Sequence, residues 1–360
     1  MSTTQTYPTA SFPDSSFELT EEDLEDIGLP LEEVGKWCPS ELAEWPDDLL
    51  SRGVSAKEVL ETAEISPSEF TEFAFRMPRQ DMNGYAPFSF EGRRHMRDIY
   101  DSPARRILLI AGRQVEKSTL LGNMILCRTC LIPSYRFIYV SPSATQTKVF
   151  SMDRIKEPVE TSPILKTYTT RMLSQNIMDK QFVNRSKITL RYAFLNADRV
   201  RGNPGNGLAV DEIQDVLVDN IPVIEQCLSH SPEDLQKYIY SGTPKSLDNT
   251  IEKYWAEHST QNQWVVPCTC VGGEAGRYWN ILGERNIGKK GLICDRCGKR
   301  ISAAHDDAQW AWMQKWDPEK VPFEGFRIHQ LMVPWKPWEE VLLQYNQYSR
   351  ARFYNEVLGI

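Results

Sequence analysis

No apolar run in this 360-residue chain approaches the roughly 20 residues needed to cross a bilayer, so no segment is a candidate spanning helix. The start, Met1-Ser-Thr-Thr-Gln-Thr-Tyr-Pro8, has neither a basic segment nor an apolar stretch behind it, which excludes a secretory signal; we expect a cytosolic chain. No internal repeat is visible, which sets aside repeat architectures. In a cytosolic setting the eight cysteines point to metal or free thiols rather than disulfides. Net negative charge is not spread evenly. Residues 1–80 carry 18 Asp/Glu against 5 Lys/Arg, and the remainder carries 36 Lys/Arg against 31 Asp/Glu, so the −8 of the whole chain hides a slightly basic body. Such a body permits nucleic-acid binding without proving it.

A further absence is local. The apolar run Ile107-Leu-Leu-Ile-Ala111 leads into Gly112-Arg-Gln-Val-Glu116, then Lys117-Ser-Thr119, then a helical pattern at Leu120, Leu121, Met124 and Ile125. Strand, loop and helix in that order aim backbone N–H groups at a polyphosphate, with Lys117 reaching the β/γ-phosphates and Ser118 helping to hold Mg²⁺. The usual motif has glycine directly before the lysine and again five residues earlier. Those positions hold Glu116 and Ala111, and Gly112 comes one residue late. Glu116 adds a negative charge where phosphate is expected, so its side chain must point away or the repulsion must be tolerated. An ordinary strand–turn–helix with a solvated Lys117 is the competing reading. Gly207-Leu-Ala-Val-Asp-Glu212 weighs against it: an apolar strand ends in two acids, Asp211 suited to Mg²⁺ and Glu212 suited to polarise an attacking water.

The cysteines sort by spacing. Cys268-Thr-Cys270 and Cys294-Asp-Arg-Cys297 are two knuckles with glycines at 272, 273, 276, 283, 288 and 291 between them. Four thiolates so arranged suit a closed, structural Zn²⁺ site. Cys127 and Cys130 fall inside the helix after the loop and read as core thiols; Cys38 and Cys227 are isolated.

Along the chain, residues 1–80 read as an acidic, partly disordered and helical region, with helix starts at Thr20-Glu-Glu-Asp23, Ser55-Ala-Lys-Glu58 and Ser66-Pro-Ser-Glu69. Met77 to Pro87 reads as a connection. Residues 81–262 form the nucleotide-binding core, with further strands at Arg136–Val140, Lys187–Tyr192, Gly207–Asp211 and Lys237–Ser241. Phe88 and Phe90, just upstream of the loop strand, are candidates to stack on a base, with plain packing as the alternative. Residues 263–303 form a zinc-ribbon insertion, and 304–360 close the core with a strand at Phe326–Met332 and a helix from Trp338 to Leu358. Strands alternating with helices predict an α/β fold with a mostly parallel sheet, its site residues gathered at the C-terminal strand ends.

These residues resemble the ATPase portion of the large terminase subunit of tailed double-stranded DNA phages, over roughly residues 84–360. The resemblance is carried by Phe88-Ser-Phe-Glu-Gly92, the loop Gly112–Thr119, Tyr139-Val-Ser-Pro-Ser-Ala-Thr-Gln146, Arg199-Val-Arg-Gly202 before Val210-Asp-Glu212, Ser241-Gly-Thr-Pro244, and Arg352-Phe-Tyr-Asn-Glu-Val-Leu-Gly359. It implies a P-loop NTPase that hydrolyses ATP with Mg²⁺ to pump viral DNA into a procapsid in the host cytoplasm, outside the mature virion. It implies double-stranded DNA, a small terminase subunit and the portal protein as partners, a homo-oligomeric ring at work, and a monomer as one state in isolation. The nuclease domain that follows in the family is expected to be absent here. Gly112, Arg113, Gln114, Glu116, Lys117, Ser118 and Thr119 would line the phosphates, and Thr243 would sense the γ-phosphate. The charge-stabilising arginine would be Arg113 within the subunit, or Arg199 or Arg201 across the ring. Two alternatives stay open: a fragment of a two-lobed DNA helicase or translocase, and a nucleotide-binding assembly module whose loop Glu116 disables.

Overall fold

The computed structural model describes residues 65–78, 84–168, 176–193, 197–245, 250–270, 276–317 and 319–360. The helix starts at Thr20 and Ser55, and Cys38, lie outside the described residues. Strands β1 (Arg106–Ala111), β2 (Arg136–Ser141), β3 (Asp179–Gln181), β4 (Lys187–Tyr192), β5 (Gly207–Val210) and β6 (Lys237–Gly242) enter one central sheet. Then β7 (Gln263–Cys268), β8 (Tyr278–Ile281) and β9 (Gln309–Ala311) make a separate three-stranded sheet, and β10 (Glu324–Ile328) returns to the central one.

The seven-stranded central sheet has the order β10-β1-β6-β5-β2-β4-β3. All its neighbours are parallel except the antiparallel edge pair β3–β4. A parallel sheet covered on both faces needs strands that are apolar on both sides, which is why β1 reads as an unbroken apolar run rather than an alternating one. Ile107, Leu109 and Ala111 enter one core layer with Phe137, Tyr139, Ile239 and Phe326. Leu108 and Ile110 enter the other with Ile138, Val140, Leu208, Val210 and Tyr240. A helix, Lys117–Leu131, follows β1 directly and fills the first layer with Leu120, Leu121, Met124 and Ile125. Ile251 and Trp255 of the helix Thr250–His258 enter the second.

Ser66-Pro-Ser-Glu69 does start a helix, Pro67–Ala74. Its cap is reciprocal: the Glu69 backbone N–H donates to the Ser66 hydroxyl at 3.3 Å, and the Ser66 N–H donates to the Glu69 carboxylate at 2.8 Å. Three readings need correction. The stretch Met77–Pro87 is not merely a connection, because Arg76–Pro78 and Tyr85–Pro87 pair antiparallel. The closing strand stops at Ile328, and Gln330–Met332 is a single 3₁₀ turn: the apolar residues continue, but the chain bends toward the loop before Lys117. The closing helix breaks in two after Gln347, where Tyr348 is extended and the Ser349 hydroxyl accepts from the Arg352 N–H to start a second helical stretch. Among the described residues, no helix is long and apolar enough to cross a membrane.

Candidate functional site

The loop between β1 and the helix Lys117–Leu131 lies at the C-terminal end of the parallel strands, and the chain's last forty residues hold it there. Gly112 N–H donates to the Ile328 carbonyl (2.8 Å) and Arg113 N–H to the Glu356 carbonyl (2.6 Å). The Gln330 amide donates to the Arg113 carbonyl at 3.0 Å, the Trp335 indole to the Gln114 carbonyl at 3.2 Å, and the Lys336 ammonium to Gln114 Oε1 at 2.9 Å. Gly112 is demanded by this seam: a Cβ there would sit 2.8 Å from the Val357 carbonyl oxygen and 2.9 Å from that of Glu356.

Gln114 (φ 59°) and Glu116 (φ 60°) are both left-handed. That conformation explains why the usual motif places glycine before the lysine, since only glycine adopts it without cost. The Glu116 carboxylate is gripped by Arg93, with Nε to Oε2 at 2.6 Å and Nη2 to Oε1 at 2.8 Å. The Arg93 guanidinium in turn lies 4.7 Å over the Trp335 ring and 5.7 Å over that of Phe88.

Lys117 is buried, and its ammonium donates to Asp211 Oδ1 at 2.9 Å and Glu212 Oε1 at 2.6 Å. The acid pair and the loop lysine, distant in the chain, thus meet. Asp211 also accepts from the Ser241 hydroxyl at 2.7 Å and the Tyr139 hydroxyl at 3.1 Å. Burial alone would raise the Asp211 pKa; Lys117, with the Ser241 and Tyr139 hydroxyls, outweighs it and holds the carboxyl below its ordinary value. Burial likewise works to lower the Lys117 pKa, and the two acids overcome it and raise it. Glu212 is left-handed (φ 50°), and its second carboxylate oxygen accepts from the Gln214 amide. Gln214 Oε1 lies so close to Gly242 that a Cβ on that glycine would sit 2.0 Å from it, which couples the acid turn to the Ser241-Gly-Thr-Pro244 segment.

The other expected site residues are placed as follows. Ser118 and Thr119 follow Lys117 in the first helical turn; Ser118 is half-buried, as is Thr243 after β6. Arg113 is exposed and 3.7 Å from Glu356. Arg199 stacks on Tyr192 at 4.3 Å and Arg201 pairs with Asp198 at 3.4 Å, so neither joins the Lys117–Asp211–Glu212 group within this chain. Phe88 and Phe90 are 3% and 5% exposed, packed edge-on with each other and, through Phe90, with Tyr100, which leaves little ring for a base to stack on. Sequence reasoning did not pick out Arg93, Gln214, Gln330, Trp335, Lys336 or Glu356. The one available signal was Glu116 itself, since a carboxylate where the sequence predicts a phosphate site demands a cation.

Cys268, Cys270, Cys294 and Cys297 converge, their sulfurs all within 4.8 Å of one another. Cys268 and Cys297 sulfurs are 3.7 Å apart and those of Cys270 and Cys294 are 3.9 Å apart. A tetrahedron of Zn–S bonds of about 2.3 Å has edges of about 3.8 Å, so this donor set fits zinc. Gly298 (φ 72°) makes the second knuckle, its N–H donating to the Cys294 carbonyl at 2.9 Å. Although burial works the other way, the backbone N–H groups of Cys297 and Arg296 hold the Cys294 thiol down to about 7. Cys127 and Cys130 are buried core thiols, Cys127 pushed up to about 12 by burial.

Residues 85–316, well over half the chain, match the family model for the phage terminase large subunit gpA, ATPase domain. Among solved structures, the chain is similar to the large terminase ATPase domain of Thermus phage P74-26, at 17% identity and a TM-score of 0.49, covering 78% of this chain and 98% of that one. The large terminase of bacteriophage HK97 gives 14% identity and a TM-score of 0.42, with 52% of this chain and 39% of that one covered. A large terminase from a thermophilic bacteriophage, in complex with ADP, gives 9% identity and a TM-score of 0.33, with 40% and 35% covered. No curated protein matches.

Proposed function

Because the chain belongs to the phage terminase large subunit gpA ATPase-domain family, we propose that it is a Mg²⁺-dependent ATP-hydrolysing motor domain that drives double-stranded DNA into a procapsid. One observation carries the reading: Lys117 of the loop and the acids Asp211 and Glu212 meet at the C-terminal ends of the parallel strands. In this reading Lys117 exchanges its carboxylate partners for the β/γ-phosphates, and the N–H groups at the start of the helix Lys117–Leu131 face them. Asp211, kept ionised by its donors, and the Ser118 hydroxyl are the fitting ligands for Mg²⁺, which when bound neutralises developing phosphate charge. Glu212, held by Gln214, orients and deprotonates the attacking water. Thr243 senses the γ-phosphate, and the Gln214–Gly242 contact offers a route by which that state reaches the acid turn. Arg113 is the in-chain candidate for the charge-stabilising arginine; Arg199 and Arg201, exposed and outside the group, suit a role across a ring.

The four cysteines would hold a structural Zn²⁺, with no open coordination position for chemistry. Lys289, Lys290, Arg296, Lys299 and Arg300 are exposed around them and suit phosphate contacts with DNA that are independent of sequence. A small terminase subunit and a portal protein are the further partners in this reading. Two observations favour it over the alternatives. Glu116 is engaged by Arg93, which speaks against a loop disabled by its own charge. The chain after Thr243 returns β10 to the same central sheet beside β1, whereas a two-lobed helicase would use it to begin a second lobe.

The test is steady-state ATP hydrolysis with and without double-stranded DNA, beside Lys117→Ala and Glu212→Gln. Turnover lost in both, with ATP binding lost only in Lys117→Ala, is the expected result. Turnover that survives Glu212→Gln would remove the assigned base.

A further inference from the structure

We propose that Arg93 is a positioning residue for the polyphosphate site: it cancels the charge of the loop's own carboxylate and holds the loop backbone in the shape that glycine ordinarily supplies. The inference rests on the nucleotide-binding reading of the loop, and goes beyond it by assigning a role to a residue outside the motif.

The argument starts at position 116. This residue immediately precedes the phosphate lysine, and its backbone is left-handed. Any residue but glycine pays a conformational cost there, and a glutamate also brings a negative charge to the rim of a site for anions. Both liabilities are met by the same contact. Arg93 donates through Nε and Nη2 to the two oxygens of Glu116, the two-pronged geometry in which arginine binds carboxylate best. Both side chains are 19% exposed, so the pair is shielded from most of the solvent that would weaken it.

Arg93 is itself fixed. Its guanidinium lies over the Trp335 ring, and the Trp335 indole N–H donates to the carbonyl of Gln114, the other left-handed residue of the loop. Lys336, the next residue, holds the Gln114 side chain. Arg93 and Trp335 therefore grip both strained positions of the loop. An arginine so committed to Glu116 is not free to reach a phosphoryl group, which separates it from the charge-stabilising candidates.

The experiment is a double-mutant cycle on ATP binding and turnover, with Arg93→Gln measured in the wild-type and in the Glu116→Gly background. In the wild-type background it leaves Glu116 bare, and the expected result is a KM for ATP raised about ten-fold, equivalent to about 1.4 kcal/mol. In the Glu116→Gly background there is no carboxylate to neutralise and no strain to hold, and the expected change is less than about two-fold. Raising the salt concentration should shrink the wild-type-background effect, a response that loss of packing alone does not give. Arg93→Lys, which keeps the charge but not the fork, should fall between Arg93→Gln and wild type. An equal ten-fold loss in both backgrounds would overturn the proposal, since Arg93 would then act on the nucleotide or on the fold without Glu116. Should Arg93→Gln alone not fold, the double variant decides: folded, with a KM within about three-fold of Glu116→Gly, it supports the proposal, and unfolded, it overturns it. A Lys117→Ala control that binds ATP as wild type does would instead fail the nucleotide reading itself.

Discussion

Replacing Gly112 with alanine tests whether the seam between the loop before Lys117 and the chain's closing segment is as rigid as its contacts imply. The added Cβ would lie 2.8 Å from the Val357 carbonyl oxygen, 2.9 Å from that of Glu356 and 3.2 Å from the Val357 carbonyl carbon. All three are backbone atoms, so no side chain can rotate aside, and the Glu356 oxygen is already held by the Arg113 N–H at 2.6 Å. Relief requires moving the loop off the seam. Overpacking of this kind costs about 1–3 kcal/mol. At about 2–4 °C per kcal/mol for chains somewhat smaller than this one, the melting temperature should fall by about 2–12 °C. The loss of activity should be larger than the loss of stability suggests, because a loop displaced by about 1 Å can cost about 10²-fold in rate. Gly283→Ala is the control: its backbone is extended and nothing lies within 4 Å of the added carbon, so its effect should stay within about 0.5 kcal/mol. Thermal melts and ATP hydrolysis on both variants decide the matter. A Gly112→Ala protein that melts with the control and hydrolyses ATP normally would refute the rigid seam.

Other consequences are open to measurement. Lys117→Ala should abolish nucleotide binding and also destabilise the apo-protein by about 3–5 kcal/mol, because Asp211 is left buried without its cation; adding Asp211→Asn should recover stability in denaturant melts but not activity, and failure to recover it would mean the pair is less buried than described. His95 and His329 are held at about 3, against an ordinary value of 6.5, by burial and then by Arg93 for His95 and by Arg327 and His95 for His329. The unfolded chain therefore takes up protons that the folded one refuses between pH 6.5 and 3. Stability is full above pH 6.5 and falls below it by about 1.4 kcal/mol per pH unit for each histidine; urea melts across that window should show the slope reduced in His329→Leu, and an unchanged slope would place the titration elsewhere. On the zinc reading proposed above, the chain should carry about one zinc by elemental analysis, and Cys270→Ser should lower it toward none and raise hydrogen exchange in residues 278–301 while the central sheet stays protected; full zinc in the variant would remove Cys270 from the ligand set.

The parts of the candidate site that are contiguous in the chain were legible in it. Strand, loop and lysine occupy thirteen residues, Ile107–Thr119, and the acid pair ends an apolar strand of four, so each announces itself by local pattern. The inner central-sheet strands were legible for a related reason: β1, β2 and β5, apolar on both faces, stand out as near-unbroken runs. β4 was legible by its alternation, whereas the edge strand β3, Asp179-Lys-Gln181, is polar throughout and was not read as a strand. What could not be read is set by contacts between distant segments. Arg93 meets Glu116 across 23 residues, and Gln330 and Trp335 meet the loop across 217 and 221; nothing in the local sequence of an arginine or tryptophan shows which distant residue it will touch. The overlong closing strand and the unbroken closing helix failed for the converse reason. Apolar periodicity continues through Gln330–Met332 and past Ser349, but tertiary contacts with the loop and the Ser349 cap bend the chain there.

The seam also sets the order in which this domain matures on the ribosome. Gly112 and Arg113 need Ile328 and Glu356 as backbone partners, and the Glu356 contact joins segments roughly 240 residues apart. At about 5–20 residues per second of synthesis, the loop emerges on the order of 10–50 seconds before the segment that seats it. During that interval β1 has neither its β10 neighbour nor the closing turns above it. The nascent chain thus carries the loop and Lys117 without the frame that shapes them, and on the nucleotide-binding reading proposed above, ATP binding becomes a late event of translation, reached only when the Glu356 segment docks.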